Sequence, residues 1–128
     1  MIKTGEQLVQ EVKSLISEAS VEQLQQNINQ GIVLIDVREP LEYEGGHIPQ
    51  AVNIPRGILE MKLHLHPEFH RQEQPLEKMN GKDIYLICRT GARSALAAES
   101  LERLGFERVY SVAGGMTKWQ QDGLEIVS

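Results

Sequence analysis

The residues best equipped for chemistry sit together in Cys88-Arg89-Thr90-Gly91-Ala92-Arg93-Ser94. Cys88 closes the nearly all-apolar run Asp83-Ile84-Tyr85-Leu86-Ile87. A helical spacing of Ala95, Leu96, Ala98, Leu101 and Leu104 starts a few residues later. A loop between a buried strand and a helix turns its backbone N–H groups toward a common point, which the helix N-terminus also faces. Those donors, the helix dipole and the guanidinium groups of Arg89 and Arg93 all favour negative charge there. They therefore favour thiolate over thiol, and thiolate is the form that attacks sulfur or phosphorus. The expected picture is a Cys88 side chain ringed by amides and guanidinium groups, ionised at neutral pH and open to solvent. Taken alone, a cysteine at the end of an apolar strand is more often a buried structural residue. The glycine, the two flanking arginines and the strand-to-helix position weigh toward a reactive one.

Spacing separates two chemistries. Cysteine-based phosphatases place five residues between Cys and Arg to cradle a tetrahedral phosphate. Here Arg89 to Ala92 separate Cys88 from Arg93, and the position a phosphatase would need, 94, is Ser. The smaller loop suits one transferred sulfur atom better than a phosphoryl group.

The elements that must position this loop read as alternating strands and helices. Thr4 to Gln7 and Ser20 to Gln23 are capping boxes opening amphipathic helices, the first carrying Leu8, Val9, Val12, Leu15 and Ile16. Ile32 to Ile35 is a continuous apolar run and Asp83 to Cys88 a nearly all-apolar one, as in strands buried on both faces of a parallel sheet. Ala51 to Ile54 and a segment within Phe106 to Val112 read as further strands. Glu39 to Tyr43 reads as a turn and a short helix, residues 57 to 80 as helix followed by irregular structure, and Gly114-Gly115 leads into a last helix with Met116 and Trp119. The pattern predicts an α/β fold with a mainly parallel sheet. In such sheets ligands bind at the carboxyl ends of the strands, where Cys88 lies.

The 128 residues suit one domain, and 41% hydrophobic content suffices for a core without disulfides or a structural metal. A net charge of −5 with no Lys/Arg cluster argues against nucleic-acid binding. One cysteine allows no intrachain disulfide, which fits a reducing compartment. The polar N-terminus does not read as a signal peptide, and no apolar run approaches a membrane span. The expected location is the cytoplasm. No metal or cofactor is expected. His64, His66 and His70 lack a completing ligand, and Pro67 interrupts their spacing. His47, in the turn sequence Gly46-His47-Ile48-Pro49, reads as structural, and Trp119 and Phe106 as core.

Three separated motifs, in order, carry a resemblance to the rhodanese family. Ile35-Asp36-Val37-Arg38-Glu39-Pro40-Leu41-Glu42-Tyr43, continued by Gly46 to Pro55, resembles its first marker. The Cys88 loop resembles its active-site loop. Gly105 to Tyr110, followed by Gly114-Gly115-Met116-Thr117-Lys118-Trp119, resembles its C-terminal marker. The resemblance covers residues 19 to 125. It implies a five-stranded parallel sheet flanked by helices on both faces, with residues 19–128 as the rhodanese domain and residues 1–18 as an added amphipathic helix that packs on the domain or serves dimerisation. It also implies a ping-pong sulfurtransferase. Cys88 would take the outer sulfur of a donor such as thiosulfate as a persulfide, then pass it to cyanide in the assay or to a thiol in the cell, with a protein thiol among the candidate acceptors. The amides of residues 89 to 93 would hold the persulfide, and Arg93 would close the loop or bind the donor's anionic end. Arg89 resembles the charged second loop position of thiosulfate-using members. Asp36 and Arg38 would support the loop or form a turn-fixing ion pair. Residues 60 to 75, longer than in the smallest members, could rim the site. The alternatives are a sulfur-carrier or regulatory module binding a partner protein, and a phosphatase or arsenate reductase on the same scaffold.

Overall fold

The computed structural model describes residues 1–128. Thr4 caps the first helix, α1 (Gly5–Lys13): its hydroxyl accepts from the Gln7 amide while the Gln7 side chain accepts from the Thr4 amide. This reciprocal pair satisfies two amides that a helix start would otherwise leave unbonded. The helix is shorter than the apolar spacing suggests. Ser14 closes it, its amide and hydroxyl both bonding the Glu11 carbonyl, and Leu15 is exposed. The chain then forms β1 (Ser17–Ala19), a strand not foreseen, so residues 17 and 18 join the sheet instead of the helical extension. Ser20 caps α2 (Val21–Asn27) through the second capping box.

The remaining elements follow in alternation: β2 (Val33–Asp36), α3 (Pro40–Glu44), β3 (Val52–Asn53), α4 (Leu59–Lys62) between two 3₁₀ turns, α5 (Pro75–Met79), β4 (Ile84–Ile87), α6 (Ala92–Leu104), β5 (Val109–Val112) and α7 (Gly115–Gln121). Within residues 57 to 80 the irregular stretch ends in α5, a second unforeseen element. Gly105, at φ 113°, ends α6 by bonding back to Glu102 and Leu101.

All five strands are parallel, in the order β1-β5-β4-β2-β3. Strand β4 is central and fully buried, as its continuous apolar run requires. Successive side chains alternate between two core layers. Ile35, Leu86 and Cys88 face a layer built with Leu59, Leu63, Phe69, Met79, Ala97 and Leu101. Leu34, Tyr85 and Ile87 face the other, with Leu24, Ile48, Met116 and Trp119. Cys88 thus enters the layer covered by α6, the helix that begins beside it. No helix is long and apolar enough to cross a membrane.

Helix α6 holds its N-terminus against β4 through this packing. Leu101, fully buried in its last turn, anchors it. Leu101→Ala should lower the unfolding free energy by ~3 kcal/mol in urea titrations; a loss below ~1 kcal/mol would show that α6 is not closely packed there.

Candidate active site

Strand β4 ends at Ile87, and the chain must turn at once into α6. Gly91 makes the turn at φ 109°, a left-handed conformation that disfavours any side chain. The first amides of α6 have no carbonyl one turn back to bond. Two of them converge on the cysteine instead: Gly91 N–H lies 3.1 Å from Cys88 Sγ and Ser94 N–H 3.4 Å from it. The Ser94 hydroxyl is 3.4 Å from the same sulfur and 2.8 Å from the Ser111 hydroxyl on β5. Both serines are fully buried, so the Ser111 hydroxyl finds its partner in Ser94, and the Ser94 hydroxyl in Ser111 and the sulfur. Residue type and spacing gave neither serine a role at the sulfur.

The carbonyl side of the loop is held by α7. The Met116 amide donates to Cys88 O (2.9 Å) and the Thr117 amide to Arg89 O (3.0 Å). Gly115 permits this approach. It sits at φ 51°, and a Cβ there would press against Cys88 O and lie 2.6 Å from Arg89 O. The loop is clamped from both sides, so its amides are oriented before any ligand arrives.

One expectation fails. Cys88 is 1% exposed, not open to solvent. The sulfur forms the floor of the loop, covered by the Gly91 and Ser94 amides bonded to it. The loop nevertheless faces the sulfur, and the predicted ring of donors is shifted: it includes residue 94, whereas the amides of Thr90, Ala92 and Arg93 bond no protein acceptor.

The two arginines meet a partner from another element. Glu42, on α3, accepts Arg93 Nη1 (2.7 Å) at one carboxylate oxygen, and Arg93 Nη2 (3.1 Å) and Arg89 Nη2 (2.9 Å) at the other. Arg93 therefore closes the loop against α3 with both ends of its fork. Its guanidinium, bonding directly, is the main cause that holds the Glu42 carboxyl down at about 2, against an ordinary 4.5; Arg89 adds to the effect and burial opposes it. In return Glu42 raises Arg93, and the proximity of Cys88 contributes further.

A family comparison bears on this arrangement. The model of the rhodanese-like domain matches residues 20–122, which contain the loop, Glu42 and α7. The chain belongs to the rhodanese family. It is 33% identical over 120 residues to YrkF of Bacillus subtilis, covering 92% of this chain but only 58% of that protein. It is 30% identical over 116 residues to a protein of Allochromatium vinosum named sulfurtransferase, covering 89% of this chain and 97% of the other. A rhodanese-related protein from Thermoplasma volcanium superposes with a TM-score of 0.71 at 31% identity, covering 87% and 97% of the two chains. The sulfurtransferase family and the five-stranded α/β fold are thereby established.

The other candidate residues are engaged in local contacts outside the loop. Asp36 and Arg38 form a buried pair: Arg38 donates Nε and Nη2 to the carboxylate and Nη2 also to Gly46 O. Asn53 bonds the carbonyls of both. Neither side chain bonds the Cys88 loop, so the pair fixes the β2 turn. His47 stacks on Tyr43 at 3.6 Å and bonds its carbonyl. His66 accepts the Glu68 amide in a local turn. Thr90 and Ala92 line a groove of about 1170 Å³ between α1 and α6.

Two outcomes test this geometry. Gly115→Ala should destabilise the protein by at least ~2 kcal/mol through strain at a positive φ and a backbone clash; a calorimetric midpoint equal to wild type would contradict the close approach. For Glu42, the folded value lies below the unfolded one. Its contribution is therefore full above pH 4.5 and is lost as pH falls toward 2. The lowering sets an upper bound of ~3 kcal/mol, reduced by the partial exposure of the network. The stability gap between wild type and Glu42→Gln should be constant above about pH 5.5 and shrink toward pH 2. A gap unchanged across that range would contradict the clamp.

Proposed function

We propose that this rhodanese-family protein moves a sulfane sulfur from a small donor such as thiosulfate to a thiophilic acceptor, through a persulfide on Cys88. The observation that carries the reading is the convergence of the Gly91 and Ser94 amides on Sγ at the end of the central strand.

In the first half-reaction the Cys88 thiolate attacks the outer sulfur of thiosulfate. An S–S bond forms at Cys88, the donor's own S–S bond breaks, and sulfite leaves with the electron pair. In the second, cyanide or a thiolate attacks the terminal sulfur, forming thiocyanate or a new persulfide, and Cys88 leaves as thiolate. No external oxidant or reductant is required. The transferred atom would lie ~2 Å beyond Sγ, in a loop whose Thr90, Ala92 and Arg93 amides have no protein acceptor and are free to receive it. Preorganised amides of this kind stabilise charge without reorganising at the moment of reaction. The burial of Sγ means that the loop must part by an atom's width for attack.

The absence of a second cysteine shapes the acceptor. The persulfide has no resolving thiol within this chain and leaves to an outside acceptor, a small thiol or a partner protein's cysteine. The loop is one residue shorter than a phosphatase loop, and Ser94, standing where the phosphatase arginine would be, turns its amide and hydroxyl to the sulfur.

The near-complete burial of Cys88 supports one further reading: a sulfur-carrier or regulatory module that binds a partner and does not turn over small donors. The purified protein should form thiocyanate from thiosulfate and cyanide, and Cys88→Ser should reduce the rate at least ~10³-fold with the far-ultraviolet dichroism unchanged. Equal turnover in that variant would overturn the proposal. No turnover in wild type would select the carrier or regulatory reading.

A further inference from the structure

Resting on the sulfurtransfer reading, we propose that Glu42 sets the donor class by charge, favouring monoanionic sulfane donors such as thiosulfonates and organic persulfides over dianionic thiosulfate. The carboxylate lies on α3, outside the Cys88 loop, and bonds both of the loop's cations.

Arg93 lies in the first turn of α6, next to Ser94, whose amide and hydroxyl both reach the sulfur. Both terminal nitrogens of its fork are already bound to Glu42, at 2.7 and 3.1 Å. A carboxylate in that bidentate position matches the place a sulfonate would take. Two arginines of the Cys88 loop and one glutamate leave a single net positive charge on the loop. Nearby, Arg38 adds none, because Asp36 neutralises it in a buried pair at 2.8 Å.

The reaction itself accumulates negative charge. A thiolate attacking thiosulfate brings three negative charges together, and a thiolate attacking a thiosulfonate brings two. A site with one uncompensated cation suits the second encounter better than the first. Glu42 is only partly exposed, its side chain 22% accessible, so water does not screen its charge fully. Its carboxyl stays ionised across the whole physiological range. The selectivity is thus a fixed property of the site and not a pH switch. Arg89, 58% exposed and holding Glu42 with one nitrogen, keeps donors free for the single sulfonyl or persulfide anion.

The role of Glu42 is positional as well as electrostatic, so the test must separate the two. Sulfur transfer to cyanide is measured with thiosulfate and with methanethiosulfonate in wild type and in Glu42→Gln, Glu42→Ala and Glu42→Asp. The quantity read is the ratio of kcat/KM for thiosulfate to that for methanethiosulfonate. Removing the charge in Glu42→Gln and in Glu42→Ala should raise this ratio roughly tenfold. Glu42→Asp keeps the charge while displacing the carboxylate, and its ratio should stay within about twofold of wild type even where both rates fall. An unchanged ratio in Glu42→Gln, or a shift in Glu42→Asp as large as in Glu42→Gln, would overturn the proposal while leaving sulfur transfer intact. No transfer from either donor in wild type would overturn the underlying reading, and this inference with it.

Discussion

The structure turns on a mismatch in hydrogen bonding that every helix start carries. The first amides of α6 have no carbonyl to bond, and the fold delivers the sulfur of Cys88 to two of them. Several other features follow from that arrangement. Central strand β4 ends where it does because α6 must begin within hydrogen-bonding distance. Gly91 is needed because the turn requires a positive φ. The Ser94 hydroxyl sits fully buried because the sulfur and Ser111 satisfy it, and Ser111 because Ser94 does. Helix α7 turns the same logic around, giving its own first amides to the carbonyls of Cys88 and Arg89. Two helix N-termini thus grip one short loop, one on the sulfur side and one on the carbonyl side.

The loop's electrostatics are less generous than its composition suggests. Two arginines beside a cysteine promise a strongly cationic pocket, but Glu42 reaches across from α3 and takes both. The same contact ties the loop to the segment after β2, whose geometry the buried Asp36–Arg38 pair and Asn53 hold in turn. Rigidity and charge are therefore set by one carboxylate. A loop that held two free guanidinium groups would be both more mobile and more attractive to dianions.

Much of this was legible in the sequence, for physical reasons that differ by element. Strands β2 and β4 announced themselves because a strand buried on both faces must be apolar at every position. The capping boxes of α1 and α2 were legible because they are local, spanning three residues. Strand β1 was not: only Ala19 of its three residues is buried, and Leu15 and Ile16 prolonged the helical spacing past the true end of α1. Helix α5 was missed because Gln74, in a left-handed conformation, replaces the usual capping side chain. At the site, Cys88, Gly91 and the arginines stood out by type and spacing. Ser94 was within reach of the same argument, since the third amide of a helix is also unbonded. Ser111 and the Glu42 contacts were not, because they join residues 17 to 51 positions apart and arise only when the sheet assembles. The burial of Cys88 was likewise invisible: the groups that attract a thiolate are also those that cover it.

The central claim is that this loop receives and holds one sulfur atom on Cys88. Intact-mass spectrometry of the purified protein, before and after incubation with thiosulfate and then after cyanide, tests it most directly. The account predicts a gain of one sulfur atom that is lost again on adding cyanide, and no gain when position 88 is serine. A wild-type mass that never changes, or a serine variant that gains the same atom, would contradict it.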